Sequence, residues 1–180
     1  MEGNHKIKFW IAVGIQIAVL FAVLFFYQLQ LATGEKVLLK LAPPRDPLSL
    51  FQGHYLVLPY EISELEKGTY IGPANFGTRE TIYVNLEEED GYYGAYSVSR
   101  TKPSQGKFIK GKVEWMSYDG DLSINYGIEE YFIPETKAME LEEMFREATR
   151  DGKIFVQVSL SKSGEALIDK LFIDNKELDI

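Results

Sequence analysis

Ser49 and Lys110 are the residues of this chain that come nearest to a nucleophilic pair. Ser49 lies just before an aromatic run, and Lys110 follows 61 residues later in a second extended run, directly before Gly111. A lysine whose burial lowers its pKa can take the proton of a serine hydroxyl. Leu48 and Leu50, however, flank Ser49 with apolar bulk on both sides. A second set is acidic: Glu129, Glu130 and Glu135 stand among Tyr126, Tyr131 and Phe132. Two carboxylates beside aromatic walls suit glycoside cleavage when their environments split their pKa values. In a strand, Glu129 and Glu130 point to opposite faces, which argues against a working pair. His54 is the lone histidine after residue 5. One imidazole does not make a zinc site without carboxylates gathered from afar, although it is the group suited to titrating near neutrality. Glu87-Glu88-Glu89-Asp90 offers hard oxygen ligands but lacks the alternating spacing of a calcium loop, and reads as a solvated hairpin tip. The residues therefore predict no metal and no cofactor, and no strong catalytic motif.

The segments that must position these side chains read mostly as strands. His54 to Ile62 is β-branched and aromatic; Thr81 to Leu86 alternates; Tyr92 to Ser99 follows a turn at Asp90-Gly91. Lys107 to Trp115 sets Ile109, Gly111 and Val113 on one face and Phe108, Lys110 and Lys112 on the other. Leu122 to Tyr126 and Ile128 to Ile133 are separated by Gly127, and Lys153 to Leu160 and Ala166 to Ile173 complete the series. One stretch differs. Lys137 to Arg150 places Ala138, Leu141, Met144 or Phe145, and Ala148 on one helical face, with Glu140, Glu142 and Glu143 early and Arg146 and Arg150 late, matching the helix dipole. The expected fold is mainly β: an antiparallel, meander- or barrel-like domain with one amphipathic helix, preceded by a single transmembrane helix.

That leading helix follows from Phe9 to Tyr27, which carry no charge and hold Gln16 as their one clearly polar side chain. Nineteen helical residues span roughly 28 Å, close to the ~30 Å hydrocarbon core of a bilayer. Lys6 and Lys8 precede the run and the next basic residue is Lys36, so the positive-inside rule sets the N-terminus in the cytoplasm. A cleaved signal peptide is the rival reading, but the run is longer than a usual h-region and Ala32-Thr33-Gly34 is a poor cleavage site. The expected organisation is a cytoplasmic stub at 1–8, an anchor at 9–31 and an extracytoplasmic domain at 32–180, located at the cytoplasmic membrane. From residue 34 onward the chain has 17 basic and 26 acidic side chains, net −9. This balance argues against nucleic acid and against docking on anionic lipid heads. With no cysteine, the domain must be stable on its core alone.

The densest unusual block is Gly53-His54-Tyr55-Leu56-Val57-Leu58-Pro59-Tyr60. Leu58 and Tyr60 share one face of an extended segment, Tyr55 and Val57 the other, and Pro59 removes a ladder donor. The block resembles the membrane-anchored family named for its G-D-Y-x-x-L-x-Y signature. Gly53, Tyr55, Leu58 and Tyr60 match, and His54 stands at the aspartate position. Arg45-Asp46-Pro47 and Glu61-Ile62-Ser63 resemble the flanks, and Phe108 to Val113 and Tyr126 to Glu135 resemble two later blocks. The resemblance covers about residues 8–173. It implies an envelope protein, often encoded beside or fused to multi-spanning membrane proteins, and carries no established activity with it. Gly53, His54, Tyr55, Leu58, Tyr60, Tyr126, Glu129 and Tyr131 are the candidate binding residues on this motif.

Three functions follow from these readings. The first is a membrane-anchored accessory or scaffold partner of an integral membrane protein. Gly14, Ala18 and Ala22 form a stripe along which another helix can approach, though small residues are common in spanning helices. The second is an extracytoplasmic module for a glycan or peptide, its tyrosines lining a groove. The third is a membrane-tethered Ser–Lys hydrolase, because type I signal peptidases keep serine, lysine and a tethered β domain in this chain order; the residues around Ser49 depart from theirs.

Overall fold

The computed structural model describes residues 2–43, 51–52, 55–73, 75–133, 145, 148, 154–173 and 176–178. The chain divides into two units, Met1–Gly34 and Glu35–Ile180. In the first, helix α1 runs over Glu2–Thr33. Its stretch Ile7–Thr33, 27 residues with a window of mean hydropathy 2.5, is long and apolar enough to cross a membrane. A helix suits such a stretch because it satisfies every interior backbone group without water. At its end the Gly34 N–H donates to the Gln30 carbonyl (2.8 Å) and the Thr33 hydroxyl to the Leu29 carbonyl (2.7 Å).

The second unit is mainly β. Its strands are β1 (Glu35–Lys40), β2 (Phe51–Gln52), β3 (Tyr55–Val57), β4 (Glu64–Leu65), β5 (Thr81–Glu89), β6 (Tyr92–Ser99), β7 (Lys107–Met116), β8 (Leu122–Asn125), β9 (Glu130–Phe132), β10 (Ile154–Leu160), β11 (Ala166–Ile173) and β12 (Lys176–Glu177). They make a four-stranded sheet in the order β1-β10-β11-β12, a three-stranded sheet β2-β3-β9 and a five-stranded sheet β4-β8-β7-β5-β6. Every pair of strands within these sheets is antiparallel, as the alternating runs predict. An isolated parallel bridge joins Ile71 to Ser97.

Alternation decides which faces meet. Ile82, Val84 and Leu86 of β5, Ile109 and Val113 of β7, and Leu122 and Ile124 of β8 are buried in one cluster with Val37 and Leu39 of β1 and Val156 and Val158 of β10. The Asp90-Gly91 turn has both residues at positive φ, 51° and 87°, the conformation of a tight hairpin between twisted strands. Glu87, Glu88 and Glu89 close β5 beside it and are exposed. Of the expected helix over 137–150, only Phe145 and Ala148 lie among the described residues; both are helical and buried in the core cluster.

Three bulges re-aim side chains. Between β7 and β8 the register passes from Val113↔Ile124 to Trp115↔Ser123, leaving Glu114 as the extra residue. Asp169 is extra between β10 and β11, where it accepts from Gln157 (2.7 Å) and pairs with Lys36 of β1 (2.9 Å). Burial pushes the Asp169 carboxyl up, but these hydrogen bonds and the neighbouring lysine charges hold it below the usual range. Between β5 and β6 the extra residue is Tyr96.

Candidate functional site

The signature segment alternates as its sequence predicts. Leu56, Leu58 and Tyr60 are buried, whereas Tyr55 is 48% exposed. β3 ends at Val57, before Pro59, so the missing donor interrupts no ladder bond of that strand. The Pro59 carbonyl accepts from the Ala42 N–H (2.7 Å), and the Leu58 N–H donates to the Glu129 carbonyl (2.7 Å).

Two tyrosines then lock this segment to the turn after β8. The Tyr60 phenol donates to the Ile128 carbonyl (2.9 Å), and the Tyr126 phenol donates to the Ile62 carbonyl (2.7 Å). The two bonds run in opposite directions between the same two segments. Burial pushes both phenols well above the usual tyrosine pKa, and the charge of Glu129 adds to the shift. The Glu129 carboxylate folds back on its own turn. It accepts from the backbone N–H groups of Tyr126 through Oε1, and of Gly127 (2.8 Å) and Ile128 (2.9 Å) through Oε2. Gly127 makes this possible with φ +80°, a conformation that favours glycine. Successive amides converging on one anion form a nest, here filled by the protein's own side chain.

The remaining candidates are spread out. Tyr131 is half-buried on β9 opposite Leu56. Tyr55 and Phe132, cross-strand neighbours, make an edge-to-face pair with centroids 5.8 Å apart, and Phe132 is also exposed. Glu130 is exposed on β9 and paired in register with Val57. Gly53, His54, Ser49 and Glu135 lie outside the described residues. Lys110 bonds Glu165 through Nζ (3.3 Å) and donates its N–H to the Gly164 carbonyl (2.7 Å). Among the described residues no group of three His, Asp or Glu side chains is placed to hold a metal ion.

Beside the signature segment lies a groove of about 550 Å³. One wall is Val57–Tyr60 with the turn and strand that follow; the other is the β7–β8 hairpin, from Glu114 and Trp115 across to Asp121–Asn125. Leu58, Leu65, Leu122 and Ile124 back it as buried core residues, and Trp115 is 45% exposed in its lining. Among the described residues Glu61, Glu64, Glu66, Glu114, Asp121 and Glu129 line it, with no lysine or arginine. Of the sequence-predicted binding residues, Leu58, Tyr60 and Glu129 reach this groove. Sequence reasoning missed the rest. The acidic spacing in Glu61-Ile62-Ser63-Glu64-Leu65-Glu66 was the one local signal; Glu114 and Asp121 arrive only through the hairpin and its bulge.

Fold and site together define a class: a mainly β domain built on a tyrosine-locked signature strand, with an N-terminal apolar helix before it in the chain. The chain belongs to the GDYXXLXY family; the family model described as GDYXXLXY protein matches residues 16–171. No curated protein and no solved structure matches it.

Proposed function

We propose that this GDYXXLXY protein is a single-pass protein of the cytoplasmic membrane, N-terminus inside, whose extracytoplasmic β domain supports a neighbouring integral membrane protein. The observation that carries the reading is the 27-residue apolar stretch Ile7–Thr33 of α1. Lys6 and Lys8 before it, and no further basic residue until Lys36, favour that orientation. Only Gly34 separates the helix from β1 in the chain, which favours a retained anchor with a short tether. Gly14, Ala18 and Ala22 supply a close-approach face for a partner helix.

The test is a chain tagged at both ends and expressed at its native level. Both tags on one carbonate-resistant membrane band, with the C-terminal tag open to protease from outside, is the expected result. Loss of the N-terminal tag from the mature protein would show a cleaved signal and overturn the anchor. Crosslinking in intact membranes should capture a polytopic partner; repeated recovery of the protein alone would overturn the accessory role.

A second reading, an extracytoplasmic ligand-binding module, is favoured by the groove beside the signature segment. Its size falls in the range of ligand sites.

A further inference from the structure

We propose that Met116 is a modification site: a two-electron oxidant of the hypochlorous acid class converts its thioether to the sulfoxide, and the sulfoxide loosens the segment Asn75 to Glu80 from the core. The chemistry is the same on either side of a membrane.

The sulfur already holds a structural contact. The Phe76 N–H donates to Met116 Sδ (3.2 Å). Phe76 belongs to the buried core cluster, and Met116, partly exposed at the end of β7, packs against that cluster. A thioether is a weak acceptor, yet here it satisfies a main-chain donor at a position where an unpaired one is costly. The rest of the segment is tied by groups of other chemistry. The Arg100 guanidinium lies over the Phe76 ring (5.0 Å) and donates to the Asn75 carbonyl (2.7 Å). The Gly77 N–H donates to Glu80 Oε2 (2.7 Å), and the Arg79 N–H to the Val113 carbonyl (2.7 Å). The chain has no cysteine, so thiols do not compete for the oxidant, and Met116 is the one methionine among the described residues.

In the reaction a sulfur lone pair attacks the oxygen of hypochlorous acid. An S–O bond forms and the O–Cl bond breaks; chloride leaves with that bond's electron pair, and the hydroxyl proton goes to water. Sulfur is oxidised by two electrons and chlorine is reduced by two. One lone pair of Met116 faces the Phe76 N–H, so the oxygen arrives on the other, and one of the two sulfoxide epimers forms in excess. The product is polar, and its oxygen accepts more strongly than the thioether did. An N–H···O bond by itself takes about 2.9 Å, so the new oxygen does not fit between a sulfur and a nitrogen 3.2 Å apart. Either the Phe76 N–H loses its acceptor, or the main chain shifts outward to reach the oxygen. Both outcomes free the Phe76 end of the segment while Arg100 and Glu80 keep hold of its rim.

The test treats the full chain in micelles with hypochlorous acid, maps the oxidised methionines by peptide mass spectrometry and follows amide exchange. Met116 is expected to gain one oxygen, with one epimer in excess, and the Phe76 amide to exchange about tenfold faster. Met116→Leu leaves three of the four methionines and should show no further change at Phe76 on treatment. Oxidation of the other methionines with Met116 untouched would overturn the proposal. A sulfoxide at Met116 with exchange at Phe76 unchanged would overturn it as well. Equal amounts of the two epimers would show that the Phe76 N–H does not orient the sulfur, and would remove the premise. A rise at Phe76 in treated Met116→Leu as large as in the wild type would place the cause at another residue and overturn the assignment.

Discussion

The ring of Tyr126 lies over Gly111, so close that a Cβ on Gly111 would sit 2.9 Å from its Cδ1. The same Cβ would meet Ile124 Cγ2 at 2.5 Å. Neither neighbour can step aside cheaply, because Ile124 is a buried β-branched residue and the Tyr126 phenol is tied to Ile62. Gly111→Ala is therefore expected to destabilise the domain by about 1–3 kcal/mol, the usual cost of overpacking a core. Urea unfolding of the full chain in micelles, followed by tyrosine fluorescence, measures it.

Glycine 164 offers a matched comparison. Gly164 and Gly68 share a positive φ, 87° and 90°, but only at Gly164 would a Cβ collide, 2.7 Å from the Phe108 ring. Both alanine substitutions carry the left-handed penalty of about 1 kcal/mol. Gly164→Ala is expected to add the clash on β7 and to lower the melting temperature further than Gly68→Ala. Equal shifts in a thermal melt would show that the β10–β11 turn does not press on Phe108.

The alternation that placed Ile109, Gly111 and Val113 inward was legible because a strand's period is two whatever its neighbours are. β6 and β11 have the bounds read from sequence, although bulges at Tyr96 and Asp169 break their alternation. β1 was not read as a strand, because its partner β10 lies far along the chain. The Leu122–Ile133 region was read as two strands split by Gly127, and the split holds, but nothing local shows that β8 and β9 enter different sheets. Tyr60 and Tyr126 illustrate the limit for the site. Exposed and buried tyrosines look alike in sequence, and only the distant carbonyls of Ile128 and Ile62 make burial of these phenols tolerable.

Glu129 should matter more to stability than a half-exposed acid usually does. Glu129→Ala removes the acceptor of three backbone N–H groups and is expected to cost about 2 kcal/mol, in the range for hydrogen bonds to charged groups. Glu129→Gln, which keeps one oxygen and turns a donor toward the amides, should fall between wild type and alanine. Denaturant midpoints order the three, and faster amide exchange at Gly127 and Ile128 in the alanine variant would locate the loss.

Alkaline pH should weaken the domain through the two locked phenols. Below about pH 10, tyrosine is protonated in both states and their contribution is complete. Above that, the unfolded chain sheds phenolic protons while Tyr60 and Tyr126, whose folded pKa is raised by burial, retain them. The unfolded state then binds fewer protons, so stability falls as pH rises, by up to about 1.4 kcal/mol per pH unit and phenol, until the folded pKa is reached. Chemical unfolding between pH 8 and 11 should show the decline, and Tyr60→Phe with Tyr126→Phe should flatten it.

Strand β1 follows α1 after one residue, yet its partner begins with Lys40 opposite Phe155 and ends with Glu35 opposite Leu160. During synthesis the apolar side chains of Val37 and Leu39 are therefore made early and wait, uncovered, until nearly the whole chain has emerged. The domain cannot assemble in order from its first strand. A ribosome stalling before residue 154 leaves a nascent chain whose leading strand lacks its β10 partner.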